Sequence, residues 1–394
     1  MEKLQRRWLA LAVGEGTAVL LFYFWLRQVW SVGPANRWLL LALPPLFYFL
    51  WVVRRYLAEN RRAGETAVLP NFGWGNRLTL LRGLAISMVA GFLLSPWPAG
   101  WLAWLPMLLY TVADVADYLD GYLARITNHA TKLGERLDME YDSLGMLIVT
   151  LLAVWYGQLP WWYLLLGLAR YLFVFGLWWR ARRGLPIHDL PHSVHRRVFA
   201  GFQMGFMSSV LWPIMPPEFA TIAGTAFALP TALGFLRDWL LVIGWLDANG
   251  DRYRRGQQWL YQTTTQWLPP LLRLLLASCL TAIFLALPDA WPPSAWVTLF
   301  TGWGLPLPSF LAVVAVLLLL LGSALVLLGT MGRLAAFWLV FPIGFDMVTR
   351  GLGLATGVAL ATAVSLMLLG TGPLSQWKPE ERFLLKRMGE RVTG

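Results

Sequence analysis

Long apolar runs, separated by short polar or basic stretches, recur along the whole chain of 394 residues. A helix that crosses a bilayer needs roughly 20 consecutive apolar residues. By this measure the pattern predicts about twelve membrane-spanning helices. The predicted spans are 8–30, 37–53, 78–95, 99–116, 143–159, 161–179, 198–215, 218–236, 270–287, 307–329, 332–349 and 353–370. We therefore expect an all-α, polytopic integral membrane protein.

Composition supports this prediction. Hydrophobic residues make up 58% of the chain and charged residues only 13%, with 24 tryptophans. This composition excludes a water-soluble globular protein. The single cysteine, Cys279, lies in an apolar run, which excludes an intramolecular disulfide and disfavours thiol catalysis.

Basic residues are concentrated in alternate loops, and cytoplasmic loops of membrane proteins are rich in Arg and Lys. The loops near 96, 159, 216 and 288–308 contain neither residue. An even number of spans then predicts a multi-pass protein of the plasma (inner) membrane with both termini in the cytoplasm. The net charge of +11 is explained by this orientation and by contact with anionic membrane lipids, so no nucleic-acid partner is predicted.

The clearest chemical signal is the stretch DVADYLDGYLARITNHATKLGERLDMEYD, which begins at Asp114 and ends at Asp142. Residues three or four apart share one face of a helix. Asp117 therefore projects with Asp120, and Asp138 projects with Asp142. A turn near Thr127, Asn128 and Gly134 is expected to bring the two pairs together, on the predicted cytoplasmic side.

Four carboxylates in close contact repel one another. Mg²⁺ and Mn²⁺ take oxygen ligands and also bind phosphate oxygens, so the sequence predicts a site for one or two such ions. The alternative is a solvated acidic surface paired with Arg125, Lys132 and Arg136. The metal site is favoured because acidic clusters are costly beside membrane spans.

The string from Asp117 to Asp142 resembles the signature of the CDP-alcohol phosphatidyltransferases, DxxDGxxAR followed by GxxxDxxxD, with every fixed position present. The resemblance implies a six-helix membrane core that transfers a phosphatidyl-type group from a CDP-activated lipid to an alcohol acceptor and releases CMP. It further implies two metal ions held by Asp117, Asp120 and Asp138, with Asp142 as ligand, general base or both.

The same resemblance implies roles for the other fixed positions and a homodimer. Gly121, Ala124 and Gly134 are expected to line the nucleotide pocket. Arg125 is expected to bind the phosphates or to brace the carboxylates. The element GNRLTLLR, which ends at Arg82, is similar to the PNxLTxxR element that precedes the family signature, with glycine in place of proline.

Two further elements predict ligand contacts. Asn76 and Thr79 of GNRLTLLR are expected to contact the nucleotide or phosphates, and the alternative is a helix cap followed by a basic anchor. Arg196 and Arg197 follow a basic loop, and we expect them to bind a phosphate on the acceptor or donor. The alternative for these arginines is contact with the membrane surface.

Three parts are predicted along the chain. Residues 1–70 form a two-helix membrane segment followed by an interfacial amphipathic helix, and residues 71–246 form the catalytic membrane domain. Residues 247–394 form a four-helix membrane domain of unknown role, with a weak resemblance to DoxX-like membrane proteins. In this last part Asp346 and Arg350 are one helical turn apart and are expected to pair for structural reasons.

These observations predict a phospholipid synthase that uses CDP-diacylglycerol and a small acceptor such as glycerol 3-phosphate or an inositol species. A transferase that uses CDP-choline or CDP-ethanolamine with a lipid alcohol is the second candidate. A transporter or channel is the rival from another class, because its helix count and intramembrane acids would be similar. A catalytically idle scaffold is a third alternative.

Overall fold

The computed structural model describes residues 1–190, 194–287 and 291–379, except for the side chains of residues 194–198. Within these ranges the chain is helical and has no β-strand. The α-helices are α1 Glu2–Val29, α2 Val32–Arg55, α3 Gly73–Ala90, α4 Leu105–Ile126, α5 Lys132–Trp155, α6 Leu164–Arg182, α7 Val194–Val210, α8 Pro217–Val242, α9 Asp251–Gln262, α10 Leu268–Leu285, α11 Ser294–Gly302, α12 Pro308–Leu328, α13 Gly332–Arg350 and α14 Leu354–Leu369.

The all-α, polytopic organisation is confirmed. Each predicted span overlaps one helix, and α9 and α11 are additional. In the described part of the chain, eight helical segments are long and apolar enough to cross a membrane. Helices α3 and α5 fall outside this set because they carry the polar residues of the site, whereas α7 and α14 have only 17 and 16 residues.

Helix α3 is central to the first of two compact units, which contains Met1–Leu172 and Met204–Met215. Helices α2, α4 and α5 all pack against it, and most of its residues are buried. Trp38 of α2 is fully buried and donates a hydrogen bond from Nε1 to the backbone oxygen of Met88 at 3.0 Å. Because buried polar groups need partners, the polar side chains of α3 must find theirs on neighbouring helices.

The segment between α2 and α3 differs from the prediction of an interfacial amphipathic helix. It contains one short 3-10 helix, Leu57–Glu59, followed by turns and irregular chain. Asn60 is fully buried, and its Nδ2 donates to the backbone oxygens of Leu69 at 3.0 Å and Asn71 at 2.8 Å. These bonds hold the segment as a compact loop, because a side-chain amide competes with helical hydrogen bonding.

The second unit contains Phe173–Gln203 and Pro216–Gly394. In it α10 packs against α12 and α14, and α13 packs against α12 and α14. Arg273 of α10 is buried and donates to backbone oxygens at the end of α12, including that of Val326 at 2.8 Å. The predicted pairing of Asp346 with Arg350 is confirmed, and Arg350 also donates to the backbone oxygen of Ala286 at 2.7 Å. The domain boundaries at residues 70 and 246 stay predictions.

Candidate active site

Three neighbouring helices, α3, α4 and α5, build the site in successive layers. The first layer is the close approach of α3 and α4 at Gly75. A Cβ atom at this position would lie 2.8 Å from Cβ of Ala124 and 2.8 Å from the backbone oxygen of Asp120. Glycine at position 75 therefore allows the two helix backbones to come into contact, and this contact sets the register of the layers below it.

The second layer joins Thr79 to Asp120. The Thr79 hydroxyl donates to Asp120 Oδ2 at 2.7 Å. Both side chains are buried, and the Thr79 hydroxyl also lies 3.3 Å from the backbone oxygen of Gly75. Thr79 thus orients a carboxylate of the first aspartate pair.

The third layer is centred on Arg82, whose side chain is only 2% exposed. Its Nη1 lies 2.5 Å from Asp117 Oδ1 and 3.1 Å from Asp138 Oδ1. Its Nη2 contacts Asp142 Oδ1. One guanidinium therefore bridges three carboxylates from two helices. Asp138 and Asp142 remain 47% and 41% exposed, so this layer is open to a ligand on one side.

Asp117, Asp120 and Asp138 form a cluster that can hold a metal ion. Each offers a carboxylate oxygen, and these atoms all lie within 4.8 Å of one another. An all-oxygen, anionic ligand set is what hard divalent cations such as Mg²⁺ prefer. The guanidinium of Arg82 offsets only part of this negative charge, so the residues fit a divalent ion. Asp142 is not a member of this cluster, although it contacts the same Arg82.

The two halves of the motif are joined by a short turn and a polar network. The sequence analysis predicts a chain reversal near Gly134, but in the structure this residue lies within the first helical turn of α5. Its amide donates to Oγ1 of the capping residue Thr131 at 3.1 Å. Asn128, with φ of 50°, adopts the left-handed conformation instead. Asn76 of α3 donates to the same Thr131 oxygen at 3.0 Å.

Asn76 and Gly134 are close neighbours. A Cβ atom on Gly134 would come within 2.5 Å of Asn76 Oδ1, so a glycine is required for this approach. Asn76 also donates to Asn60 Oδ1 at 3.2 Å, and this bond connects the site to the loop between α2 and α3.

The remaining predicted residues lie beside this network. Gly121 and Ala124 follow Asp120 along α4, and both are half-buried. Arg125 is exposed, and its Nη1 would lie 3.2 Å from a Cβ at Gly121. Within the described residues Arg125 takes no part in the ion pairs of the carboxylate cluster. The side chains of Arg196 and Arg197 lie outside the described residues, so their predicted contact with a phosphate stays a prediction.

The sequence analysis did not select Arg82, Asp114 or Asn60 as site residues. Arg82 had a usable signal, because it is the only charged residue in the predicted span 78–95. Asp114 had a weaker one, since it precedes Asp117 by one helical turn. Asn60 had none, because its role depends on hydrogen bonds made after the chain has folded.

The fold and the site define an all-α membrane protein with a carboxylate cluster between its helices that can hold a divalent metal ion. Residues 72–246 match the model of the CDP-alcohol phosphatidyltransferase family. The matched part of the chain contains α3 to α8 and is similar to members of that family. The family acts on CDP-alcohols and alcohol acceptors in membranes and uses a divalent metal.

Several named proteins are similar to part of the chain. A Mycobacterium tuberculosis protein named "Putative cardiolipin synthase" is 30% identical over 140 residues, which are 34% of this chain and 63% of that protein. A CDP-diacylglycerol–glycerol-3-phosphate 3-phosphatidyltransferase of Cereibacter sphaeroides is 36% identical over 110 residues, 27% of this chain and 49% of that protein. The chain thus spans 63% or less of these relatives. No solved structure matches the chain.

Proposed function

We propose that this protein is a phospholipid synthase that transfers a phosphatidyl group from CDP-diacylglycerol to a small acceptor carrying neighbouring hydroxyl groups. The observation that carries the proposal is the assembly of carboxylates from α4 and α5 around Arg82, with three of them within 4.8 Å of one another. The names of the relatives, cardiolipin synthase and a glycerol-3-phosphate phosphatidyltransferase, support acceptors that contain glycerol. An inositol species is retained as a candidate acceptor.

In the proposed reaction an acceptor oxygen forms a bond to the lipid-side phosphorus, while the phosphoanhydride bond breaks and CMP leaves with the electron pair. Asp142 accepts the proton of the acceptor hydroxyl, because a base must lie within hydrogen-bond reach of the nucleophile. Its Oδ1 is held by Arg82, and the side chain is 41% exposed, so it is both oriented and accessible. Arg82 fixes the relative positions of Asp117, Asp138 and Asp142.

Asp117, Asp120 and Asp138 are the proposed metal ligands. These residues would hold Mg²⁺ or Mn²⁺, two ions in our proposal, and the bound metal would supply positive charge to the diphosphate oxygens. Thr79 keeps Asp120 in place through its hydrogen bond. Gly121 and Ala124 are uncharged and half-buried beside the carboxylates, and we assign their surface to the nucleotide. Asn76 and Gly134, which pack against each other, are proposed to support this surface.

The central test is release of CMP by the purified protein. With CDP-diacylglycerol and Mg²⁺ or Mn²⁺, we expect CMP when glycerol 3-phosphate, phosphatidylglycerol or an inositol phosphate is supplied, and none after chelation with EDTA. Asp142→Asn should lower the rate by about a hundredfold or more, the usual contribution of a general base. The matched control is Glu140→Gln, which changes a carboxylate of the same helix that bonds to Tyr48 at 2.8 Å, and it should keep near-normal activity.

A transporter predicts a different outcome. If the whole acceptor panel, including CDP-choline with diacylglycerol, yields no CMP while the protein carries an ion flux in vesicles, the proposed enzyme function is wrong. If Glu140→Gln loses as much activity as Asp142→Asn, Asp142 has no special role as a base.

We also propose a homodimer in the plasma membrane, with the site facing the cytoplasm. The arginines of the loop between α2 and α3 lie at the Gly75 end of α3, and the loop after α3 contains no Arg or Lys. This asymmetry supports the orientation. The homodimer follows from the family resemblance, and a monomeric mass in native lipid nanodiscs would contradict it.

A further inference from the structure

A small polar cavity lies one helical turn beyond the Arg82 layer, on the side away from Gly75. Ile86 follows Arg82 by one turn on α3, Asp114 precedes Asp117 by one turn on α4, and Gly145 follows Asp142 on α5. Ile86, Asp114 and Gly145 border the cavity. Its polar lining consists of Arg82, Tyr110, Asp114, Tyr141 and Asp142. The cavity therefore adjoins the carboxylate cluster and shares Arg82 and Asp142 with it.

Asp114 is held in a fixed orientation from a fourth helix. The hydroxyl of Ser208, in α7, donates to Asp114 Oδ2. Met204, one turn earlier in α7, also borders the cavity. Among the described residues, no hydrogen-bond donor contacts the other carboxylate oxygen, Asp114 Oδ1. The family signature does not include Asp114, and the reaction proposed above does not use it.

Two tyrosines complete the polar wall. Tyr110 and Tyr141 are 3% and 1% exposed, and both border the cavity. Within the described part of the chain, neither hydroxyl has a hydrogen-bond partner. A buried hydroxyl without a partner is unfavourable, because it loses the hydrogen bonds that water would make with it. Two such hydroxyls beside an oriented carboxylate indicate that the cavity binds a polar ligand that has hydroxyl groups of its own.

We propose that the cavity binds the non-reacting hydroxyl of the acceptor, and that Asp114 accepts a hydrogen bond from it. This inference rests on the proposed function and assigns the acceptor class as a short polyol. One helical turn, about 5 Å, separates the level of Asp114 from that of Asp117. Because Asp142 borders the same cavity, a compact polyol can place one hydroxyl at Asp142 and a neighbouring one at Asp114. Tyr110 and Tyr141 then bond to the second hydroxyl.

The test compares acceptors that differ by this one hydroxyl. Glycerol 3-phosphate is compared with 3-hydroxypropyl phosphate, and phosphatidylglycerol with phosphatidylpropane-1,3-diol. A hydrogen bond to a charged group corresponds to a preference of about tenfold to a hundredfold in kcat/KM. We expect the wild type to prefer either glycerol 3-phosphate or phosphatidylglycerol, by this factor, over the analogue that lacks the second hydroxyl. In Asp114→Asn the preference should fall to within about threefold, while the KM for CDP-diacylglycerol stays unchanged.

Further variants guard against a general loss of structure. Tyr110→Phe removes only a hydroxyl and should reduce the preference to a smaller degree. Ser208→Ala should act in the same direction by releasing Asp114. Its matched control is Ser209→Ala, because the Ser209 hydroxyl donates only to the backbone oxygen of Phe206 in its own helix, at 2.7 Å. This control should retain the wild-type preference.

The outcomes separate the two proposals. CMP release with equal discrimination by the wild type, Asp114→Asn and Tyr110→Phe would overturn the cavity assignment and leave the proposed function intact. A parallel rise in the KM of donor and acceptor in Asp114→Asn would show a structural role and would also overturn it. No CMP from the wild type with any acceptor would overturn the proposed function together with this inference.

Discussion

Arg82 shows how one residue changes the electrostatics expected of the site. Four aspartates at helical spacing suggest carboxylates whose repulsion only a metal ion relieves. In the structure a buried guanidinium already bridges Asp117, Asp138 and Asp142. A planar guanidinium can bond several carboxylate oxygens at once, which an ammonium group cannot do as well. Arg82 therefore offsets part of the repulsion among these three carboxylates and holds them close together.

Substitution of Arg82 should make stability depend more strongly on a divalent ion. In Arg82→Gln the three carboxylates lose their shared cation, and loss of one partner of a buried pair costs about 3–5 kcal/mol. We expect a lower Tm in metal-free detergent solution and a larger rise in Tm on adding Mg²⁺ than in the wild type. Arg77→Gln is the control, since Arg77 is an exposed residue of the same helix that lies over Trp74. An equal Mg²⁺ shift in Arg82→Gln and the wild type would contradict this role.

At the scale of elements, the contact between α3 and α4 sets the site geometry. Gly75 opposes Ala124, Thr79 opposes Asp120, and Arg82 opposes Asp117. The contact residues are three or four positions apart on both helices, so each layer is one helical turn from the next. The pairs descend α3 and ascend α4 in step because the two helices run antiparallel. A displacement at Gly75 would therefore shift both deeper layers.

Gly75→Ala should destabilise this pair of helices. The new methyl group would meet Ala124 Cβ and the Asp120 backbone oxygen at 2.8 Å, and overpacking of this kind costs about 1–3 kcal/mol. We expect a lower Tm in detergent and a weaker apparent affinity for Mg²⁺. Gly16→Ala in α1 is the control, because a Cβ there has no atom within 4 Å and alanine favours a helix. A Tm equal to that of Gly16→Ala would show that α4 can move aside freely.

At the scale of the whole molecule, orientation in the membrane decides which substrates reach the site. Helix α3 runs from the loop that holds Glu65 to the loop that holds Ala99, and both of these residues are exposed. The basic residues lie in the first of these loops, so the positive-inside rule predicts that this loop and the carboxylates face the cytoplasm, as in our proposal.

Single-cysteine variants test this orientation. With Cys279→Ser as background, a membrane-impermeant maleimide should label Ala99→Cys in intact cells, whereas Glu65→Cys should be labelled only after permeabilisation. The physical reason is that the two loops lie on opposite sides of the bilayer. The reverse labelling pattern would place the carboxylates outside, where a cytoplasmic CDP-activated lipid is out of reach.

Only part of the site could be predicted from the sequence. The spacing of Asp117, Asp120 and Asp138 was enough to predict a joint oxygen site, because helical periodicity is a local property. The interfacial helix before α3 was wrongly expected, because Asn60 forms bonds to Leu69 and Asn71 that a polar composition does not reveal. The sequence was equally ambiguous about whether α3 and α5 cross the membrane. Both helices are covered by neighbouring helices, and this burial allows them to carry polar residues.

The sequence by itself determined the helical membrane architecture, the family resemblance and the identity of the motif carboxylates, since apolar run length and motif spacing are properties of short stretches of chain. Only the tertiary structure decided which charges meet. Arg82 pairs with Asp138 across 56 positions, and Ser208 bonds to Asp114 across 94. Such pairs depend on which helix faces pack together, and that choice is made by the summed packing of many side chains.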